Sequence, residues 1–130
     1  MKICLVTNSY PPNEISGLSR YLYDCANYLS KKKIPVHVIS AASGKEKRQV
    51  KKKGNITIHQ ISSLNLYRKQ KDIQRMQEIF LYLDHIIKKE NISLLSCHNF
   101  HTWSIRGGSY SMATVLAAAA NDIPCILTIH

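Results

Sequence analysis

Three short stretches of the sequence bring together side chains able to do chemistry. Ser16-Gly17 opens an amphipathic run, with Arg20 one turn further on. At such a helix start the unpaired backbone N–H groups and the helix dipole hold a phosphate or a carboxylate. His98-Asn99-Phe100-His101 comes directly after an apolar run, where imidazole and carboxamide side by side suit hydrogen bonding to a polar ligand such as a sugar. His130 follows a further apolar run. The first stretch also has a plainer reading, with Ser16 as an N-cap and Gly17 as steric relief where the chain enters the helix.

Several chemistries do not fit these residues. A dinucleotide fingerprint needs three spaced glycines and an acid near the end of the next strand, whereas Gly17 stands alone and the next apolar run ends in Ser40. No Gly-Lys-Ser/Thr follows the first run, which excludes a P-loop. His98 and His101 are spaced like metal ligands, yet Glu90 is the one carboxylate within thirteen residues of the pair, so no metal is expected. The four cysteines, at 4, 25, 97 and 125, form no C-x-x-C pair and lie in or beside apolar runs, which points to reduced, buried thiols in a cytosolic protein. Cys97 and His98 are adjacent in a strand and so face opposite ways, which excludes a nucleophile–base pair.

The elements that position these residues follow from hydrophobic periodicity. Apolar runs predict strands over Lys2–Thr7, Pro35–Ser40, Ile56–Ile61, Ile92–Cys97 and Pro124–Ile129. Between them, Leu18, Leu22, Cys25, Ala26 and Leu29 form one helical stripe that ends in Lys31-Lys32-Lys33, where cations suit a helix C-terminus. Ile73, Met76, Phe80, Leu83 and Ile87 fall at steps of three and four and predict a helix over Asp72–Glu90, its buried face widened by Ile79, Leu81, Tyr82 and Ile86. Met112–Ala120 predicts a helix of small residues, and Ala41–Gly54 a basic loop.

Strands alternating with helices imply an α/β fold of the Rossmann-like class, a mostly parallel sheet flanked by helices. In such sheets ligands bind beyond the C-terminal ends of the strands, which is where Asn8–Arg20, Cys97–Gly108 and His130 fall. A length of 130 residues with 45% hydrophobic residues suits one domain with one core. The balance of 18 Lys plus Arg against 8 Asp plus Glu, net +10, favours an anionic partner. Lys45–Lys53 is expected to be a solvated run that attracts anionic lipid headgroups. It has no interleaved aromatics, so nucleic acid is not an expected partner. Met1–Asn8 is too short for the core of a signal peptide, and Gly107–Asn121, the longest stretch without charge, is shorter than the about 20 apolar residues of a spanning helix.

Tyr10-Pro11-Pro12, Ser16-Gly17, Arg20, Ala26, Leu29 and the strand Val36–Ile39, taken in that order, resemble the opening of the family-four glycosyltransferases. Ser96-Cys97-His98-Asn99 resembles their His-x-His-Asn segment, and Ile123-Pro124 followed by Thr128-Ile129-His130 their Ile-Pro, Thr-x-His segment. Ser16 replaces a loop glycine, Ser96 the first histidine, and Lys33-Ile34 a Gly-His. The resemblance implies that residues 1–130 are the N-terminal, acceptor-side domain of a GT-B enzyme, incomplete at its C-terminus. It implies sugar transfer with retention from a nucleotide-sugar to a glycan or lipid-linked acceptor in glycan or cell-envelope synthesis. No cofactor is implied, the donor being a co-substrate held mainly by a second domain. Carried over by position, His130 is the catalytic residue at the transferred sugar, and Ser16, Gly17, Arg20, His98 and Asn99 bind substrate. A cytoplasmic site at the inner face of the membrane fits this reading. The alternative is a non-catalytic Rossmann-like module that binds an anionic or phosphorylated ligand.

Overall fold

The computed structural model describes residues 1–8, 10–11, 17–42, 48–65, 69–98 and 105–128, with side chains from 109 onward in the last stretch. Three helices and six strands follow one another as β1 (Ile3–Val6), α1 (Gly17–Lys31), β2 (Val36–Ala41), β3 (Arg48–Lys53), β4 (Ile56–Ile61), α2 (Asp72–Glu90), β5 (Leu94–His98), α3 (Ile105–Ala120) and β6 (Cys125–Thr128). A 3-10 turn, Ser62–Leu64, follows β4. The sheet order is β3-β4-β2-β1-β5-β6. All pairs are parallel except β3–β4.

From β1 the chain builds the sheet one way through β2 and β4, and then returns to β1's other edge to build β5 and β6. This reversal opens a crevice beyond the C-terminal ends of β1 and β5, the place where such folds bind ligands. Ile3 to Val6 are all buried, as a strand covered on both faces must be. One face carries Cys4, Val6, Ile39, Ile61, Leu95 and Cys97 under α2 and α3. The other carries Ile3, Leu5, Val36, Val38 and Ile56 under Leu22 and Ala26 of α1.

The residues explain the helix ends. α2 has Asp72 in its first turn and Lys88 and Lys89 in its last, matching the dipole, and stops where Asn91 takes the left-handed conformation with φ 56°. The bounds are those expected from periodicity, but the buried arc is turned. Ile79, Tyr82, Leu83, Ile86 and Ile87 face the core, while Ile73 and Leu81 are exposed. Met76 and Phe80 line a groove with Leu116, Ala119 and Ala120 of α3. Two partners, sheet and α3, widen the arc beyond a single stripe, and the small residues Ala113, Ala117 and Ala118 let the second one approach.

Two expected boundaries are corrected. The basic run is not a loop throughout: Arg48–Lys53 is a strand antiparallel to β4, joined to it by a turn in which Gly54 takes φ +59°. An edge strand pairs along one side only and leaves both faces to water, so lysines are tolerated and guard the open edge. They also mask the apolar alternation by which strands are read. α3 starts seven residues before the expected Met112, through Gly107-Gly108, because its tertiary contacts outweigh a propensity cost of about 1 kcal/mol per glycine. Residues 43–47 lie outside the described residues, and with them 45–47 of the expected lipid-attracting run.

The four cysteines are free, and they divide into two classes. Cys4 and Cys97 are buried, and burial pushes both thiols up, that of Cys97 to about 12. Cys25 and Cys125 are half-buried, so the expectation of general burial holds for one pair only. Titration of the native protein with a thiol reagent should show two faster thiols and two slow ones that merge with the rest on denaturation; four equal rates would contradict this packing.

Candidate functional site

The crevice is built from the ends of the two central strands and the start of the first helix. β1 hands over to Thr7, whose N–H donates to the Ile39 carbonyl at 3.0 Å, so the chain leaves the sheet still pinned to β2. Tyr10 then turns back into the core beneath α1, its ring 6.3 Å from that of Tyr23. Burial, with Tyr23 adding to it, pushes the Tyr10 hydroxyl up to about 12. Ser40, at the C-terminal end of β2, is buried, and its hydroxyl has no hydrogen-bond partner among the described residues.

Gly17 is the first residue of α1 and is exposed. A Cβ built there meets nothing within 4 Å among the described residues, and its φ lies outside the left-handed region. Steric relief is therefore not the reason for a glycine here, and the plainer of the two sequence readings is corrected to that extent. Arg20, one turn later, is exposed and ion-paired with Asp24 at 3.3 Å, its guanidinium 5.8 Å from the centre of the Tyr23 ring.

His98 is the last residue of β5 and is buried. Its Nε2 lies 2.8 Å from Ser96 Oγ, two residues back on the same face of the strand. Its carbonyl accepts a hydrogen bond from the Tyr110 hydroxyl of α3 at 2.7 Å. Tyr21 of α1 lies against the imidazole with ring centres 6.2 Å apart. Gly17 and Tyr21 are one turn apart on the helix, so the face of α1 that starts at Gly17 is turned toward the end of β5. Cys97 faces the opposite way, into the core with α2 and α3, as expected of adjacent strand residues.

The structure thus brings Tyr21, Ser96 and His98 together at one strand end, with Gly17 one turn before Tyr21 at the start of α1 and Arg20 exposed on that helix. Ser16, Asn99 and His130 lie outside the described residues, as does His101. Among the described residues no three His, Cys, Asp or Glu side chains converge on a point. Sequence reasoning missed Tyr21, which its i+4 spacing from Gly17 signals. It also missed Tyr110, whose role depends on a strand and a helix that meet only in the fold. Ser96 stood out as a departure from a histidine, and in the fold it is the partner that orients His98.

A second concavity of about 600 Å³ lies past the end of β4, lined by Arg48, Ile61, Ser62, Ser63, Glu78, Leu81 and Tyr82. Its floor depends on Arg75, fully buried, whose guanidinium donates to the carbonyls of Ser63 at 2.6 Å and Asn65 at 2.9 Å. Ser63 in turn hydrogen-bonds Glu78.

A parallel sheet reversing at β1, with polar groups gathered at the reversal, defines a Rossmann-like domain of the kind that makes up GT-B enzymes. The family model for Glycosyltransferase Family 4 matches residues 15–130, and the chain belongs to that family. No curated protein matches the sequence. Among solved structures, the chain is similar to sucrose-phosphate synthase from Thermosynechococcus elongatus, with a TM-score of 0.71 at 10% identity over 99% of this chain and 33% of that one. It is also similar to a putative UDP-N-acetylglucosamine 2-epimerase from Listeria monocytogenes, with a TM-score of 0.62 at 13% identity over 98% of this chain and 30% of that one. At these identities the likeness is one of fold, and the chain spans about a third of each of these structures. No helix among the described residues is long and apolar enough to cross a membrane.

Two substitutions check the geometry. Gly17→Ala meets open space and should leave the urea unfolding midpoint unchanged or slightly raised. Tyr110→Phe removes a buried donor to the His98 carbonyl and should cost about 1–2 kcal/mol by the same measurement.

Proposed function

We propose that the chain is the acceptor-side N-terminal domain of a glycosyltransferase that moves a sugar, with retention, from a nucleotide-sugar to a glycan or lipid-linked acceptor. The observation that carries this reading is the coincidence of the family match with the crevice at the strand reversal, where Tyr21, one turn after Gly17, lies against His98. In this reading Ser16 and Gly17 place backbone N–H groups toward the donor diphosphate. The absence of any neighbour around Gly17 among the described residues supports it, since backbone there is open to close approach. His98, oriented by Ser96, and Asn99 hydrogen-bond hydroxyls of the sugar or acceptor. Arg20 adds positive charge on the flank, and His130 acts at the transferred sugar. The Listeria neighbour is a putative epimerase of a UDP-sugar, which supports a nucleotide-sugar as the donor class.

Transfer requires the donor to be held against the acceptor, and such positioning supplies about 7 kcal/mol of a barrier reduction. The test assays transfer from a panel of UDP-sugars by these 130 residues alone and by the same residues joined to a donor-binding domain. Transfer is expected only in the second case, and there Gly17→Val and His130→Ala should each lower turnover at least tenfold, with the unfolding midpoint of Gly17→Val unchanged. Transfer by the 130 residues alone would refute the two-domain reading, and an unaffected Gly17→Val enzyme would remove the phosphate-facing loop.

A second reading, a non-catalytic binding module for an anionic or phosphorylated ligand, is supported by the exposed start of α1 at Gly17, where free backbone N–H groups can hold an anion. Binding of UDP or inorganic phosphate without transfer in either form would support it.

For the membrane surface, the support is the exposed run Lys51-Lys52-Lys53 on β3. A lysine near an anionic surface contributes about 1 kcal/mol at most. Vesicles containing phosphatidylserine should therefore retain the chain at low salt and release it at high salt. Equal retention by phosphatidylcholine vesicles would remove the electrostatic argument.

A further inference from the structure

Away from the crevice, under α2, a row of polar side chains crosses the core. His37 of β2 and His59 of β4 lie diagonally, two residues out of register, on one face of adjacent parallel strands, both almost wholly buried. His37 Nδ1 is 2.9 Å from His59 Nε2, and His59 Nδ1 is 2.7 Å from the Tyr82 hydroxyl of α2. At the other end His37 Nε2 is 3.9 Å from Glu90 Oε2, in the last turn of the same helix. The row therefore begins and ends on α2 and passes through two strands.

One set of proton positions satisfies it. The Glu90 carboxylate favours an N–H on His37 Nε2, which leaves Nδ1 bare as an acceptor. His59 Nε2 must then carry the hydrogen, its own Nδ1 is bare, and the Tyr82 hydroxyl donates to it. The His59 ring then gives one hydrogen bond and takes one, while His37 takes one and turns its Nε2–H toward the Glu90 carboxylate, which at 3.9 Å attracts it by charge and lies beyond hydrogen-bond reach.

We propose that the Tyr82–His59–His37–Glu90 row is a proton-operated latch, which in its neutral form ties α2 to β2 and β4 and on proton uptake releases the helix.

A first proton, on His59 Nδ1, forces the Tyr82 hydroxyl to turn from donor to acceptor. A second, on His37 Nδ1, sets two N–H groups against each other across 2.9 Å and breaks the row at its centre. The surroundings oppose either proton. Lys2, ahead of β1, lies 3.8 Å from Glu90 and takes up part of its charge. Lys52 of β3 and Lys89 of α2 face the pair, and the Arg48 guanidinium sits 4.6 Å from the centre of the Tyr82 ring. Cys4 of β1, beside His37 in the sheet, stays a neutral thiol because burial pushes it well up. Burial holds both histidines below their ordinary value, that of His59 at about 4, with the neighbouring His37 adding to it; Glu90 pulls the other way.

The sign follows from linkage. In the unfolded chain both rings titrate near 6.5, and in the folded chain they titrate lower, so folding favours the neutral forms. The latch contributes fully above pH 6.5, and its contribution is lost as the pH falls from there toward 4. Release has a structural consequence, because α2 also carries Arg75 and Glu78, which hold the Ser62–Leu64 turn at the floor of the second concavity.

The test combines imidazole nitrogen NMR with amide hydrogen exchange on the 130-residue chain. At pH 7.5 both histidines should carry hydrogen on Nε2 alone. Between pH 7.5 and 5, after correction for intrinsic rates, amides of Tyr82–Glu90 should lose at least tenfold of their protection while those of β1 keep theirs. His59→Gln replaces the ring with a donor and acceptor that does not titrate, and should abolish that loss. Tyr82→Phe keeps the ring under Arg48 but frees His59 Nδ1, and should move the onset of the loss to higher pH. Ordinary, independent titration of both rings near 6.5 would overturn the latch. So would undiminished α2 protection at pH 5, or an equal loss in both variants.

Discussion

The structure depends on β1 being hydrogen-bonded along both edges at once. Its four residues pair with Val36–Ile39 on one side and with Leu94–Cys97 on the other, all parallel. A strand so placed has no face or edge left for water, so it must be short and apolar. The chain must then leave it at the same end of the sheet toward which both neighbours run. That single constraint puts Asn8, the start of α1 and the end of β5 around one opening. A one-residue slip in the pairing of β5 with β1 would turn His98 into the core and Cys97 toward α1, since side chains alternate along a strand.

Three sets of buried polar groups in this fold are handled differently. Arg75 is buried whole, and its guanidinium is spent on backbone carbonyls that shape a turn. His98 is buried at the end of β5, oriented by Ser96 through its ring and by Tyr110 through its carbonyl, which leaves the imidazole little freedom. His37 and His59 form a row in which each ring satisfies the next. In all three cases the cost of burying a polar group is offset by partners from a second element, so these residues join secondary structures as well as occupy them.

The two edges of the sheet contrast. β3 presents Lys51, Lys52 and Lys53 and cannot readily accept another strand. β6 carries no charge and leaves Ile126 and Leu127, which point to opposite faces, about half exposed. Arg20, at the start of α1, is ion-paired with Asp24, so among the described residues the lysines of β3 are set apart from the charges beside the strand reversal.

Local pattern alone determined much of this protein. Apolar runs of four to six residues marked five of the six strands, and steps of three and four marked α2 to the residue at both ends, because strand and helix periods are written directly into side-chain order. Alternation of the two implied a parallel sheet, and with it the edge at which Gly17 and His98 were to be sought. What only the tertiary structure decided are the features that need a second element. β3 exists because β4 offers it a partner, and its lysines carry no strand signal. α3 runs back through Gly107-Gly108 because packing outweighs propensity. Arg75, read as one polar residue on a helix, is buried because two carbonyls from a turn ten and twelve residues away converge on it. His37 and His59 are separated by a strand and a hairpin in the sequence and lie 2.9 Å apart only because β2 and β4 pair in one register, a long-range choice that no local window of residues contains.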